Sequence, residues 1–223
     1  MRLNTSVWLA NVVAPLIPAF GAKFPNVSFE VIMTNHMVDM VERGFDLAVR
    51  AGPLPDSSLI SRRIGAVPLT LSAAPDYLAR RGTPERPADL VNHNCLAFIH
   101  LPPRWRFIGP DGEINIDVTG NLRTDSFEVL RRATLAGHGI SLLPTAGVIT
   151  ELKEGRLVPL LPNYRTDDPI VHAIYPASRY LSTAVRAFLD FLVNRLSRHP
   201  ILAAAAAPHA SINACSISSG EPL

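Results

Sequence analysis

Residues 29–63, FEVIMTNHMVDMVERGFDLAVRAGPLPDSSLISRR, constrain the fold more than any other stretch of the 223-residue chain. Val31, Ile32 and Met33 form a continuous apolar run, the pattern of a strand covered on both faces. Asn35 can cap a helix through its side-chain oxygen, Met37, Val38, Met40 and Val41 give that helix an apolar side, and Gly44 supplies a left-handed stop. FDLAV then resumes an extended apolar segment. The spacing predicts a β-α-β unit, two parallel strands with their carboxyl ends on one rim. Asn35 and Arg50 fall on that rim, where polar strand ends of open α/β sheets face a crevice.

Upstream, Met1, Arg2 and Leu3 read as the stub of a first strand and Asn4-Thr5-Ser6 as a polar loop. The residues to about Lys23 read as a helix that Pro15 and Pro18 force to start late, near Ala14, or to bend. Downstream, VPLTLSA is a strand, PDYLARRG a short helix stopped by Gly82, and CLAFIH a strand ending at His100. RWRFIGPDGEINIDV is a hairpin turning at Pro110-Asp111-Gly112. Thr124-Asp125-Ser126 lead into a helix ending at Gly137, with Asp125 and Glu128 at capping-box spacing. Residues 140–143 form a buried strand, 145–154 a helix and 170–175 a strand. Ser182 caps a last amphipathic helix carrying Val185, Phe188, Leu189, Leu192 and Leu196 on one side.

The chain therefore enters a second lobe near Val67 and leaves it near Asn163. The expected fold class is α/β, two Rossmann-like lobes joined by two crossover connections, with an interlobe cleft. Lobe I takes residues 1–67 and 165–198, lobe II residues 68–164, and residues 199–223 form a disordered tail.

A chain of this length buries ~70% of its unfolded surface and needs no staples. Cys95 and Cys215 do not make a disulfide framework, which fits a reducing cytoplasm. The opening MRLNTSVWLANVVAPLIPAF is interrupted by polar residues and two prolines, so it is neither a signal peptide nor a membrane span. Net charge is +2, with 21 Lys+Arg against 19 Asp+Glu, and the arginine pairs 62-63, 80-81 and 131-132 are scattered, so no basic stripe marks a nucleic-acid surface. Gly137-His138-Gly139 lacks the third glycine of a dinucleotide fingerprint, and there is no phosphate loop, nucleophile elbow or paired-cysteine metal motif. His93 and Cys95, two apart, do not make a nucleophile pair. No enzyme, no metal and no cofactor are expected.

Three segments carry a resemblance. VDMVERGFDLAVRAGPLPDSSLISRR, LRTDSFEVLRRATLAGHGISLLP and GRLVPLLPNYR occur in the order in which similar runs occur in the effector-binding domain of LysR-type transcriptional regulators. With the sequence between them they cover roughly residues 3 to 197. The resemblance implies a periplasmic-binding-protein-like fold, a small organic anion as effector held in the interlobe crevice, and a homodimer or higher oligomer, or association with a full-length regulator. The first helix and its neighbouring strand pack against a second copy in that family; here Val12, Ile17 and Phe20 are candidates for that face or for the core. DNA is read in the family through a winged helix-turn-helix, which none of these 223 residues supplies. No membrane is involved. A stand-alone solute-binding protein of similar fold is the alternative, as is a partner that caps full-length regulators.

Strand ends and helix starts bordering a cleft offer unpaired N–H groups to an anion. The candidates are Thr5 and Ser6, Asn35, Arg50, His100, and Thr124 with Asp125. Each has a plain rival: Asn35, Asp125 and Ser126 are good helix caps, Arg50 can pair with Asp46 or Asp56, and His100 can be an ordinary loop histidine.

Overall fold

The computed structural model describes residues 1–36, 39–54, 58–177 and 181–196; Asp56 and the expected tail with Cys215 lie outside them. Two compact units divide the chain: Met1–Val67 together with the segment from Pro169 onward, and Pro68–Asp168. The first unit opens with β1 (Arg2–Thr5), a 3₁₀ turn (Val7–Leu9), α1 (Ala10–Val13) and α2 (Leu16–Gly21), followed by β2 (Glu30–Met33), β3 (Leu47–Ala51) and β4 (Ile60–Ala66). The second contains β5 (Leu69–Ala73), α3 (Pro75–Arg81), β6 (Cys95–Phe98), β7 (Arg104–Gly109), β8 (Gly112–Asp117), β9 (Arg123–Thr124), α4 (Phe127–Leu135), β10 (Ile140–Pro144), α5 (Ile149–Lys153), β11 (Val158–Pro159) and β12 (Arg165–Thr166). The chain then returns to the first unit with β13 (Ile170–Tyr175) and α6 (Thr183–Leu196).

The sheet of the first unit runs β2-β1-β3-β13-β4. β1 is parallel to both β2 and β3, and β13 is antiparallel to β3 and β4. One expectation changes here. Asn4 and Thr5 belong to β1 rather than to a loop, because Asn4 pairs in register with Ile32 and Ala48, and Thr5 with Met33 and Val49. β2 and β3 run parallel with their carboxyl ends on one edge, as the spacing predicts, and β1 lies between them.

No helix forms after Asn35 among the described residues; residues 39–44 make a turn. The Asp39 carboxylate accepts the N–H groups of Val41 and Glu42, each at 2.9 Å, and so caps a single turn, closed by Arg43 N–H on Asp39 O at 3.2 Å, that goes no further. Phe45 N–H returns to Met40 O at 2.8 Å, and Gly44 supplies the positive φ of 62° that this reversal requires. The turn buries Met40 and Phe45 against Ala48 and Ile174.

The first helix bends as its prolines demand. α1 ends and α2 restarts with Pro15 between them, and Pro18 falls in the first turn of α2, where no backbone donor is needed. Phe20 proves to be core rather than an associating face: it is fully buried, with the rings of Phe24, Phe29, Phe188 and Phe191 at 4.4–5.9 Å. α6 buries the five predicted apolar residues, and Ser182 Oγ accepts the Val185 N–H at 3.3 Å.

In the second unit one sheet runs β11-β5-β10-β6-β9 and a smaller one β12-β7-β8. The β7–β8 hairpin closes at Gly109↔Gly112, turning Trp105 and Phe107 into the core, while Arg104 pairs with Asp117 and Arg106 with Glu113 and Asp167 on the outside. The cap of α4 is Ser126, whose Oγ accepts the Val129 N–H at 3.3 Å, and not Asp125. β12 pairs with β7, which keeps residues 165–168 in the second unit; the return crossing falls at Asp168/Pro169 rather than near Asn163. Next to it, Asp168 accepts the Leu69 N–H at 3.0 Å and the Thr166 hydroxyl at 3.3 Å.

Candidate functional site

Because β1, β2 and β3 are parallel, their carboxyl ends lie along one edge of the sheet. Side chains alternate along each strand, so Asn4 and Ser6, aligned with Ala48 and Arg50, share a face. Arg50 is only 5% exposed. Its Nη1 donates to Thr34 O at 2.5 Å and to Ser6 Oγ at 3.5 Å, and its Nη2 to His36 O at 2.9 Å and to Asn4 Oδ1. All four acceptors are neutral. Among the described residues no carboxylate pairs with this guanidinium; Asp46, the nearest rival in sequence, instead accepts the Arg2 N–H at 2.7 Å. Burial lowers the Arg50 pKa from its ordinary value, yet an arginine stays protonated in proteins, so the edge holds a desolvated positive charge.

Asn35 does cap a helical turn, but the one that starts 28 residues earlier. Its Oδ1 accepts the Val7 N–H at 3.1 Å, and Val7 opens the 3₁₀ turn after β1. Thr5 alternates to the other face of β1, beside Val49; it is fully buried, and its Oγ1 has no hydrogen-bond partner among the described residues. The structure therefore brings together Ser6, Asn35 and Arg50, leaves the Thr5 side chain apart, and adds Asn4 and the carbonyls of Thr34 and His36. The sequence marks Asn4 only as part of a polar loop; as a strand residue, its i, i+2 spacing with Ser6 places both beside Arg50. A groove of about 650 Å³, lined by Arg2, Ile32, Thr34, His36, Asp39, Glu42, Arg43 and Phe45, shares Thr34 and His36 with the cluster; its lining carries two acidic side chains as well as two arginines and does not include Arg50.

The second unit has its own edge of this kind. β6 is parallel to β9 and β10, so His100, just beyond β6, and Thr124 and Asp125, at the end of β9, stand at one edge. Thr124 O accepts the Ile99 N–H at 3.0 Å and Thr124 Oγ1 the Ser126 N–H at 3.1 Å. Asp125 is exposed, as is His100, whose ring packs edge-on against Phe98 at 5.3 Å.

His93 and Cys95 make no catalytic pair. Burial pushes the Cys95 thiol up to about 12, and its Sγ faces Leu90 O. His93 Nδ1 sits 3.2 Å from the Tyr77 hydroxyl, its pKa held down by burial and by Arg81 against the pull of Asp89. Among the described residues no group of three His, Cys, Asp or Glu side chains is arranged to hold a metal, and no helix is long and apolar enough to cross a membrane.

Comparison with known proteins gives this geometry a context. The uncharacterized HTH-type transcriptional regulator YcaN of Escherichia coli (strain K12) is 35% identical over 197 residues, which span 86% of this chain and 64% of YcaN, so less than two thirds of that relative is represented here. The regulatory domain of CrgA, a LysR-type transcriptional regulator from Neisseria meningitidis, superposes with a TM-score of 0.75 at 29% identity, covering 88% of this chain and 98% of that domain. The full-length Vibrio cholerae virulence activator AphB, a member of the LTTR protein family, gives a TM-score of 0.75 at 28% identity over 87% of this chain and 67% of AphB. These neighbours are transcriptional regulators and their regulatory domains, with a two-lobed, periplasmic-binding-protein-like fold. The LysR substrate binding domain itself matches residues 2–197, and the chain belongs to that family.

Proposed function

We propose that this domain senses a small organic anion and passes its occupancy to a LysR-type transcription regulator. The observation that carries this reading is Arg50: a nearly buried guanidinium, at the carboxyl ends of three parallel strands, whose described partners are all neutral. A charge held in low dielectric without a counter-ion attracts an anion far more strongly than one in water. Ser6 supplies a hydroxyl beside it, and Asn35 holds the turn that follows β1; His100, Thr124 and Asp125 form a separate candidate edge within the second unit. Effector binding shifts the population of conformations, and association with a second copy carries the shift to the part of the regulator that reads DNA, in the cytoplasm.

A thermal-shift screen of small carboxylates, benzoate first, tests the reading. A binding anion raises the melting temperature in proportion to ln(1 + [L]/Kd). Ser6→Ala is expected to fold normally and weaken that rise, and Arg50→Ala to abolish it. Unchanged affinity in both variants removes the assignment.

A further inference from the structure

We infer that Arg50 is also a latch: when an anion takes its guanidinium, residues 35 and 36 are released and the first helical turn loses its cap. This rests on the anion-sensing reading and adds the route by which occupancy leaves the site. The two terminal nitrogens of Arg50 carry four N–H groups, and in the unliganded protein four acceptors meet them, Thr34 O, His36 O, Asn4 Oδ1 and Ser6 Oγ. A carboxylate accepts best through two parallel N–H bonds, so binding in that geometry displaces at least one of the four.

They are not equally free to go. Thr34 is anchored by its own N–H, which continues the strand ladder to Thr5 O at 3.0 Å. Asn4 lies within β1. The Ser6 hydroxyl, at 3.5 Å, can rotate away, and His36 O belongs to a residue beyond the end of β2, whose N–H meets Thr34 Oγ1 at 3.1 Å. Asn35 sits between the two carbonyls that Arg50 clamps, and its Oδ1 holds the Val7 N–H. Withdrawing His36 O from the guanidinium therefore loosens one of the two carbonyl clamps that flank Asn35 and aim it at Val7. Val7 begins the helical segment that runs through α1, so a change of charge at β3 reaches a different element through three hydrogen bonds. Asn35 is a positioning residue in this scheme and touches no ligand.

The amide resonance of Val7, followed by ¹H–¹⁵N NMR on the whole chain, reads the latch. Asn35→Ala defines where that resonance lies with the cap removed. Arg50→Lys keeps the charge but cannot span the same acceptors, and is expected to move Val7 toward the Asn35→Ala position without any ligand; a folded Arg50→Lys protein with Val7 at its wild-type position overturns the latch. Wild type titrated with benzoate supplies a second arm that needs no folded Arg50 variant: Val7 and His36 amides are expected to shift along one saturation curve. Saturable benzoate binding that moves Ser6 and leaves Val7 fixed overturns the latch and keeps the anion reading. A Val7 shift in Arg50→Lys with no response of the wild type to benzoate or inorganic phosphate leaves the coupling of Arg50 to the cap standing and overturns the anion as its trigger.

Discussion

Asp168 is half-buried and Cys95 buried, and desolvation raises the pKa of each, yet the consequences differ because their neighbours differ. Against the burial of Asp168 stand the Leu69 N–H, the Thr166 hydroxyl and the charge of Arg165, all favouring the carboxylate, while Asp167 opposes it. A folded-state pKa above the unfolded value, about 3.9, means that the fold holds the proton more tightly than the open chain does. Ionised Asp168 therefore costs stability, and the cost disappears as pH falls through its folded pKa. Asp168→Asn keeps the acceptor oxygen, so it is expected to gain on wild type at pH 7 and to lose that advantage toward about pH 4; urea titrations across that range check it. Cys95 has no such opposition. With its thiol near 12 and its side chain buried, alkylation by iodoacetamide at pH 8 should leave the Cys95 peptide unmodified until the protein unfolds, as peptide mass mapping would read. Sequence alone marked Asn35 as a cap and Arg50 as a polar strand end. It could not name their partners, because a side-chain oxygen advertises its capacity to accept and not which of many N–H groups will reach it, and Val7 lies 28 residues away.

At the scale of elements, local rules succeeded where the deciding groups were local. The hairpin β7–β8, the stop at Gly82 and the helix α6 follow from turn residues and apolar spacing contained in the elements themselves. The helix expected after Asn35 is reduced to one turn, because the cap is Asp39, four residues later, and Gly44 already reverses the chain. Sheet order was not legible, since β1 chooses its neighbours β2 and β3 through non-local pairing. The α4 cap offers a clean test of side-chain assignment. Ser126→Ala is expected to cost about 1 kcal/mol in chemical denaturation and Asp125→Ala only a few tenths, because the Val129 N–H is bonded to Ser126 Oγ.

The molecule as a whole is two units built on opposite plans. The second, Pro68–Asp168, is continuous in sequence and has its own core, with Leu90, Leu96, Phe107, Leu130, Ile140 and Leu143 all but fully buried. The first is split, and its sheet places β13 between β3 and β4. A fragment of residues 68–168 is expected to melt cooperatively by circular dichroism, whereas residues 1–67 alone should show no transition, lacking both β13 and the α6 residues that surround Phe20. The resemblance in the sequence had supplied the two-lobed plan, but it set the return crossing too early, because nothing in GRLVPLLPNYR announces that β12 will pair with β7.

That split plan also sets a timetable for the nascent chain. A ribosome delivers β1 to β4 first, but the gap between β3 and β4 stays unfilled until residues 170–175 emerge, and the aromatic centre around Phe20 stays open until Phe188 and Phe191 follow. Domains complete as units during translation, so the middle of the polypeptide closes before its beginning does. The segment that carries Arg50 and its neutral acceptors is the last part of the domain to become native, so the guanidinium cluster is complete only once nearly all of the domain has been made.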